Sequence, residues 1–255
     1  MVLTETQILA WLGHFLWPFL RVTGLFLTAP LYGSALIPNA VKAAIAAALA
    51  AALAFWLPAL PPFPGAPVAA IFAGITQIAF GALLGMAMQI VIAAIAGAGE
   101  MAGLAIGLSF AELQFRDASS ATPVLYDIMF WAGLTGYIAA GGPVWLFAAL
   151  ANSFAHGIGF ANPTAWTALL GFGATIFTTA VSLAMPVLAA ALCINITVGL
   201  MAVFAPQLNL LTIGFPLLIL TGLWVFAGAI TYLDHDLHQL IPLALDTIAN
   251  MLRHG

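Results

Sequence analysis

Apolar residues run along this chain in long blocks, broken at intervals by short stretches rich in proline and glycine. A hydrocarbon layer about 30 Å thick takes roughly 20 helical residues to cross, and a helix satisfies its backbone groups within one segment. The blocks therefore predict membrane helices. The first extends from about Gln7 to Leu31, with Thr4 and Gln7 at the spacing of a capping box. Pro18 is a candidate kink, and Pro30 and Gly33 mark the end. The second covers Pro38 to Leu57 and is rich in alanine, with Pro38 suited to a first helical turn. The proline-dense stretch from Pro58 to Gly65 predicts a connector.

Val68 to Phe110 is nearly unbroken apolar sequence, about 65 Å long if it were one straight helix and so about twice the bilayer. Two readings are open: two helices that break at Gly97-Ala98-Gly99, or one helix that leaves the membrane plane. Between Gly107 and Pro123 the chain turns polar, with Glu112, Gln114, Arg116, Asp117, Ser119 and Ser120. Leu125 to Leu150 resumes the apolar pattern, interrupted at Gly141-Gly142-Pro143. Trp166 to Ala205 is a second overlong run with Pro186 near its middle, and Leu208 to Leu233 follows.

The last segment, Leu237 to Leu252, differs in kind. Leu237, Leu240, Ile241, Leu245, Ile248 and Leu252 recur at three- and four-residue steps, with Asp246, Asn250 and Arg253 elsewhere. That is the pattern of an amphipathic helix for a membrane surface or a partner groove. The whole predicts an all-α, polytopic membrane protein of about six hydrophobic segments, taken as a single domain over residues 1–255.

Composition strengthens this picture. The chain is 64% hydrophobic and 5% charged, where a soluble domain has about 25% charged residues. There is too little polar surface to cover a water-exposed globule. The net charge is -4 with no basic run, which argues against nucleic acid. Cys193 is the single cysteine, so an intrachain disulfide and a cysteine-based metal site are both excluded. Glu5 before the first apolar run and Arg21 within it reverse the order of a cleavable signal peptide. Residues 1–33 are therefore expected to be a retained helix. Lys and Arg occur only at Arg21, Lys42, Arg116 and Arg253, too few for the positive-inside rule to assign orientation.

Several residues stand out chemically. Gly99, Gly103 and Gly107 are spaced by four and form a bare stripe on a helix, and Gly81 and Gly85 repeat the spacing. Such stripes let helix backbones approach closely, either within this chain or against other subunits. Glu100 lies beside the stripe in apolar sequence, where a charge must face protein or water. It is either a protonated, hydrogen-bonded structural carboxyl or part of a proton or substrate path. Asp127, Arg21 and Lys42 are read as lying near segment ends, where snorkelling or partner contacts suffice.

Asp234, His235, Asp236 and His238 have the look of a metal cluster but are read as a solvated turn beside the membrane. His14 and His156 are isolated, and Met86, Met88 and Met101 are read as gap-fillers. No nucleophile–base motif or phosphate-cradling glycine loop is present. No cofactor, metal or catalytic residue is expected.

Two segments resemble the FliR/SctT family of flagellar and virulence type III secretion systems. The first is Gly99-Glu100-Met101-Ala102-Gly103-Leu104-Ala105-Ile106-Gly107-Leu108-Ser109-Phe110-Ala111, followed by a polar loop and Pro123-Val124-Leu125. The second is Ala205-Pro206-Gln207-Leu208-Asn209, then Ile213-Gly214-Phe215-Pro216-Leu217. Arg21-Val22 leading to Thr28-Ala29-Pro30-Leu31-Tyr32-Gly33, with Pro38 and Lys42 behind, supports them. The motif order is similar over essentially the whole chain.

The resemblance implies a subunit of a protein-export gate in the bacterial inner membrane, built of bent hairpins stacked into a cone. FliP-like, FliQ-like and FlhB-like proteins are the implied partners. Unfolded flagellar or effector proteins are the implied cargo, driven by the proton motive force. It also implies a plug loop at Gly107–Pro123, where Phe110 and Phe115 would block a narrow lumen and Gly107 and the serines would let the loop move.

The sequence departs from the family pattern at three places. Arg116-Asp117-Ala118 stands where members often have Asp-Pro. Val203 and Phe204 stand where a basic residue is common, and Leu218 replaces a frequent Lys or Arg. An ion-coupled secondary transporter using Glu100 and Asp127 is the alternative function.

Overall fold

A computed structural model describes residues 4–33, 37–57, 60, 63–64, 66–108, 123–155, 163–204 and 210–253. Among them the fold is all helical. The helices are α1 (Glu5–Thr28), α2 (Asn39–Trp56), α3 (Pro67–Ala105), α4 (Val124–Ala139), α5 (Gly142–Asn152), α6 (Pro163–Phe204), α7 (Leu210–Ile230) and α8 (Leu233–Arg253). A 3₁₀ turn, Ser153–Ala155, follows α5. Four helices are long and apolar enough to cross a membrane, or five if the broken α4–α5 pair is one span. The shorter apolar stretch Gly214–Ile230 within α7 accounts for the sixth hydrophobic segment.

Helix limits follow local chemistry. The Thr4 N–H donates to Gln7 Oε1 at 3.1 Å, the returning half of the expected capping box. Pro18 lies inside α1 without ending it. Pro38 stands one position earlier than expected, as the cap before α2, and its carbonyl accepts from Val41 and Lys42. The proposed break at Gly97-Ala98-Gly99 is absent: α3 is one helix of 39 residues. Its two glycines keep the helical hydrogen-bond ladder, so glycine's flexibility alone does not break a helix that packing holds. The second overlong run is likewise one helix, α6, of 42 residues with Pro186 inside it. By contrast, Gly141-Gly142-Pro143 does interrupt its run. Gly141 takes a left-handed φ of 76° and Pro143 occupies the first turn of α5, both unfavourable for continuing one helix.

The chain forms two compact units. The first comprises Met1–Ile90, Gly141–Phe172 and Ile241–Gly255. Its centre is the close approach of α1 to the first half of α3. A Cβ added at Gly24 would overlap the Ile78 carbonyl, one at Gly81 would overlap Arg21 and Leu25 backbone, and one at Gly85 would reach Ala29 N at 2.7 Å. Thr28 Oγ1 donates to the Ala82 carbonyl at 2.7 Å across the same seam. Backbones this close exclude water and lipid, which maximises dispersion contact where lipid supplies no hydrophobic drive. Phe26 stacks on Tyr32 at 4.7 Å, and Phe147 meets both rings edge-on.

The second unit comprises Val91–Ala140 and Gly173–Leu240. α6 buries Ile176, Ala180, Leu183, Ala184, Val187 and Ala191 on one side. Its exposed Thr178, Ser182 and Thr197 hydroxyls donate to carbonyls three or four residues back in the same helix. Such self-satisfied hydroxyls remain tolerable in lipid or in a packed interface. In α8, Leu237 is buried and its Cδ1 occupies the space beside Gly136. The apolar stripe of this amphipathic helix is therefore covered, at Leu237, by its own chain rather than by a membrane surface. The helix also begins at Leu233, so Asp234 to His238 form its first turns instead of a loop. His235 and Gln239 side chains pair at 2.9 Å there.

Candidate functional site

Two places hold the candidate functional residues: the buried arginine of α1 and the far end of α3. Arg21 is 4% exposed, contrary to its expected place near a segment end. Its Nε donates to Gln77 Oε1 at 2.8 Å and a terminal nitrogen donates to Ser153 Oγ at 2.7 Å. Ser153 in turn donates to the Leu150 carbonyl at 2.5 Å. The guanidinium also lies 3.9 Å from the Phe154 ring centroid and 4.7 Å from that of Phe80. Neutral polar groups and two aromatic faces thus stabilise a cation in apolar surroundings. One side chain joins α1, α3 and the turn after α5. An unpaired Arg deep in an apolar run is the sequence signal for such a site, but its partners are remote in sequence.

At the end of α3, Gly99 and Gly103 face Leu125 of α4. A Cβ at Gly99 would overlap the Leu125 carbonyl and approach Met129 Cγ at 2.8 Å, whereas one at Gly103 would meet only Leu125 side-chain atoms from 3.7 Å. This stretch of the stripe therefore packs within the chain, and its two glycines are unequal in need. Glu100, beside them, is half-buried. The helix stops two residues later than Gly103. The Ile106 N–H still reaches the Ala102 carbonyl at 3.1 Å, but that of Gly107 bonds Leu104 at 3.2 Å. Gly107 has φ 77°, the left-handed conformation that ends many helices.

This terminus rests on α7. Ile106 is fully buried and its Cγ2 fills the space where a side chain would stand at Gly222. The Phe215 ring lies over Gly107, with Cε1 at 3.3 Å and Cδ1 at 3.5 Å from a Cβ placed there. Gly214 is buried, with Val198 Cγ1 at 3.0 Å from the equivalent position. Pro216 lies within α7. The structure thus brings together Gly107 from the first motif and Phe215 from the second. Sequence separation hid this contact, and nothing in either motif alone indicates it. Leu108 is half-buried. Ser109, Phe110, Ala111, Phe115, Arg116 and Asp117 of the expected plug lie outside the described residues, as do Pro206, Gln207, Asn209 and His156.

Other singled-out residues have ordinary surroundings. Met88 is buried and Met86 exposed, while Asp127 sits in the first turn of α4, where a carboxylate suits the helix dipole. Lys42 is half-buried in the first turn of α2. His14 Nδ1 accepts from the Leu60 N–H at 3.4 Å and borders an apolar groove of ≈ 380 Å³ with Trp11 and Phe15. Leu218 is 6% exposed. Val203 and Phe204 are exposed at the end of α6.

Long apolar helices joined by glycine-lined close contacts define a polytopic α-helical membrane protein. The chain belongs to the bacterial export proteins, family 1, whose signature matches residues 12–243. It is 34% identical to the flagellar biosynthetic protein FliR of Escherichia coli (strain K12), over 97% of each chain. It is 31% identical to the protein of that name from Pectobacterium carotovorum subsp. carotovorum, over 95% of this chain and 94% of the relative. The protein of that name from Bacillus subtilis (strain 168) is 23% identical, over 93% of this chain and 94% of the relative.

Proposed function

We propose that this chain is a non-enzymatic subunit of the flagellar protein-export gate, forming part of the channel that passes unfolded proteins across the inner membrane. The observation that carries the reading is the end-to-end similarity to flagellar FliR proteins. The surface supports it. α2 and α6 leave Phe55, Trp56, Leu170, Phe177, Leu192 and Phe204 exposed along helices that bury little of themselves. FliP-like and FliQ-like subunits, with an FlhB-like protein, are the proposed cover for these faces, alongside lipid. The residues 107–123 are the proposed plug, and the glycine-lined end of α3 its support.

Co-expression with FliP-like and FliQ-like proteins and purification through a tag on this chain tests the proposal. A stable stoichiometric complex is expected. A stable lone monomer indifferent to both partners would overturn it, and ion-coupled solute uptake into liposomes by this chain alone would instead favour the transporter reading.

A further inference from the structure

We propose that Phe215 is a positioning residue that clamps the left-handed terminus of α3 and so sets where the chain leaves that helix towards residues 109–122. The inference rests on the plug reading for its consequence, but its physical basis is local. A helix can run on past its last packed turn unless something stops it. Here α3 stops at Ala105, and the next two residues are both engaged by α7. Ile106 fills the gap left by Gly222, with no exposed surface. Gly107 turns to φ 77° under the Phe215 ring.

The contact depends on both partners. A Cβ at Gly107 would meet Phe215 Cε1 at 3.3 Å, tighter than normal packing, and would also be strained at that φ. A smaller side chain at 215 would leave the glycine uncovered. The backbone next to Phe215 is packed. Gly214 packs on Val198 of α6, and Pro216, next in α7, has no N–H to donate to the preceding turn. Phe215 is 39% exposed, while the Cδ1–Cε1 side of its ring lies against Gly107. An aromatic ring seated on a bare backbone makes a bulky stop with few rotatable bonds.

The test uses the assembled export complex with Cys193→Ser and Leu108→Cys, labelled by a water-soluble maleimide, alongside small-solute leak in proteoliposomes. Phe215→Ala is expected to raise the labelling rate roughly fivefold and to increase leak, with complex yield retained. Phe215→Tyr, which keeps the ring, is expected to behave as the parent. Gly107→Ala attacks the same contact from the other side, and combined with Phe215→Ala it should add less than the product of the two single effects. Should Phe215→Ala fail to assemble, the Gly107→Ala and Phe215→Leu variants carry the same comparison.

Unchanged labelling in every assembled variant overturns the clamp, as do equal effects of Tyr and Ala. Removing residues 109–122 separates the two ideas. Leak on deletion with no effect of Phe215→Ala leaves the plug and refutes the clamp. Faster labelling at Leu108→Cys with no leak on deletion keeps the clamp and refutes the plug.

Discussion

Arg21 carries a buried charge, and its environment determines which replacements are tolerable. Lysine keeps the charge but not the planar fork or the ring stacking. Arg21→Lys should therefore lose the paired contacts to Gln77 and Ser153 and lower stability by about 1–2 kcal/mol. A fall in the thermal midpoint of the detergent-solubilised protein, larger than that of a Lys42→Arg control in the first turn of α2, is the expected result. Tyr32, outside the spanning segments, lies stacked on Phe26, and desolvation raises its pKa above the usual tyrosine value. A raised folded-state pKa means the contribution is full below the unfolded value and is lost as pH climbs through the folded one. Stability should thus fall above about pH 10, and Tyr32→Phe should flatten that alkaline limb in a pH series of melting curves.

Between helices, the deciding feature is the distance from each glycine to the backbone opposite. Gly81 and Gly103 belong to similar four-residue spacings, yet a Cβ at Gly81 meets Arg21 and Leu25 backbone and one at Gly103 meets flexible Leu125 atoms at 3.7 Å. Backbone cannot give way as a side chain can. Gly81→Ala is expected to destabilise by about 1–3 kcal/mol, while Gly103→Ala should stay within about 0.5 kcal/mol. Comparable losses in midpoint for the two would remove the distinction. Gly103→Leu adds four heavy atoms, three of them beyond a Cβ that already touches Leu125 at 3.7 Å, and should still reduce complex yield. The spacing of these glycines is legible in sequence; which of them touches backbone is not, because that depends on the crossing of two helices far apart in the chain.

For the whole molecule, the exposed apolar area is the central fact. Too many large side chains face outward for a protein surrounded by water, and α2 in particular buries only Ala46 and Ala50. Such surfaces mark lipid or protein partners. If residues 107–123 form the barrier in the assembled gate, shortening them should increase leakage of small solutes without preventing assembly. Dye efflux from proteoliposomes holding the purified complex measures it, and unchanged permeability with intact complex would show that the barrier lies elsewhere.

The helical, membrane-embedded character of this protein was readable from sequence because it depends on sums: apolar content, block length and scarcity of charge. The interruption at Gly141-Gly142-Pro143 was readable too, since adjacent local signals agree there. For α3 sequence left one helix and two both open, because one glycine pair is a weak breaker that packing along the helix can override. The Arg21 cluster, the covering of Leu237 in α8 and the seat of Phe215 on Gly107 were not readable. Each joins residues widely separated along the chain, and only tertiary structure decides which surfaces meet. The end of α3, marked in sequence as a glycine before a polar stretch, becomes in three dimensions a helix terminus held by α7.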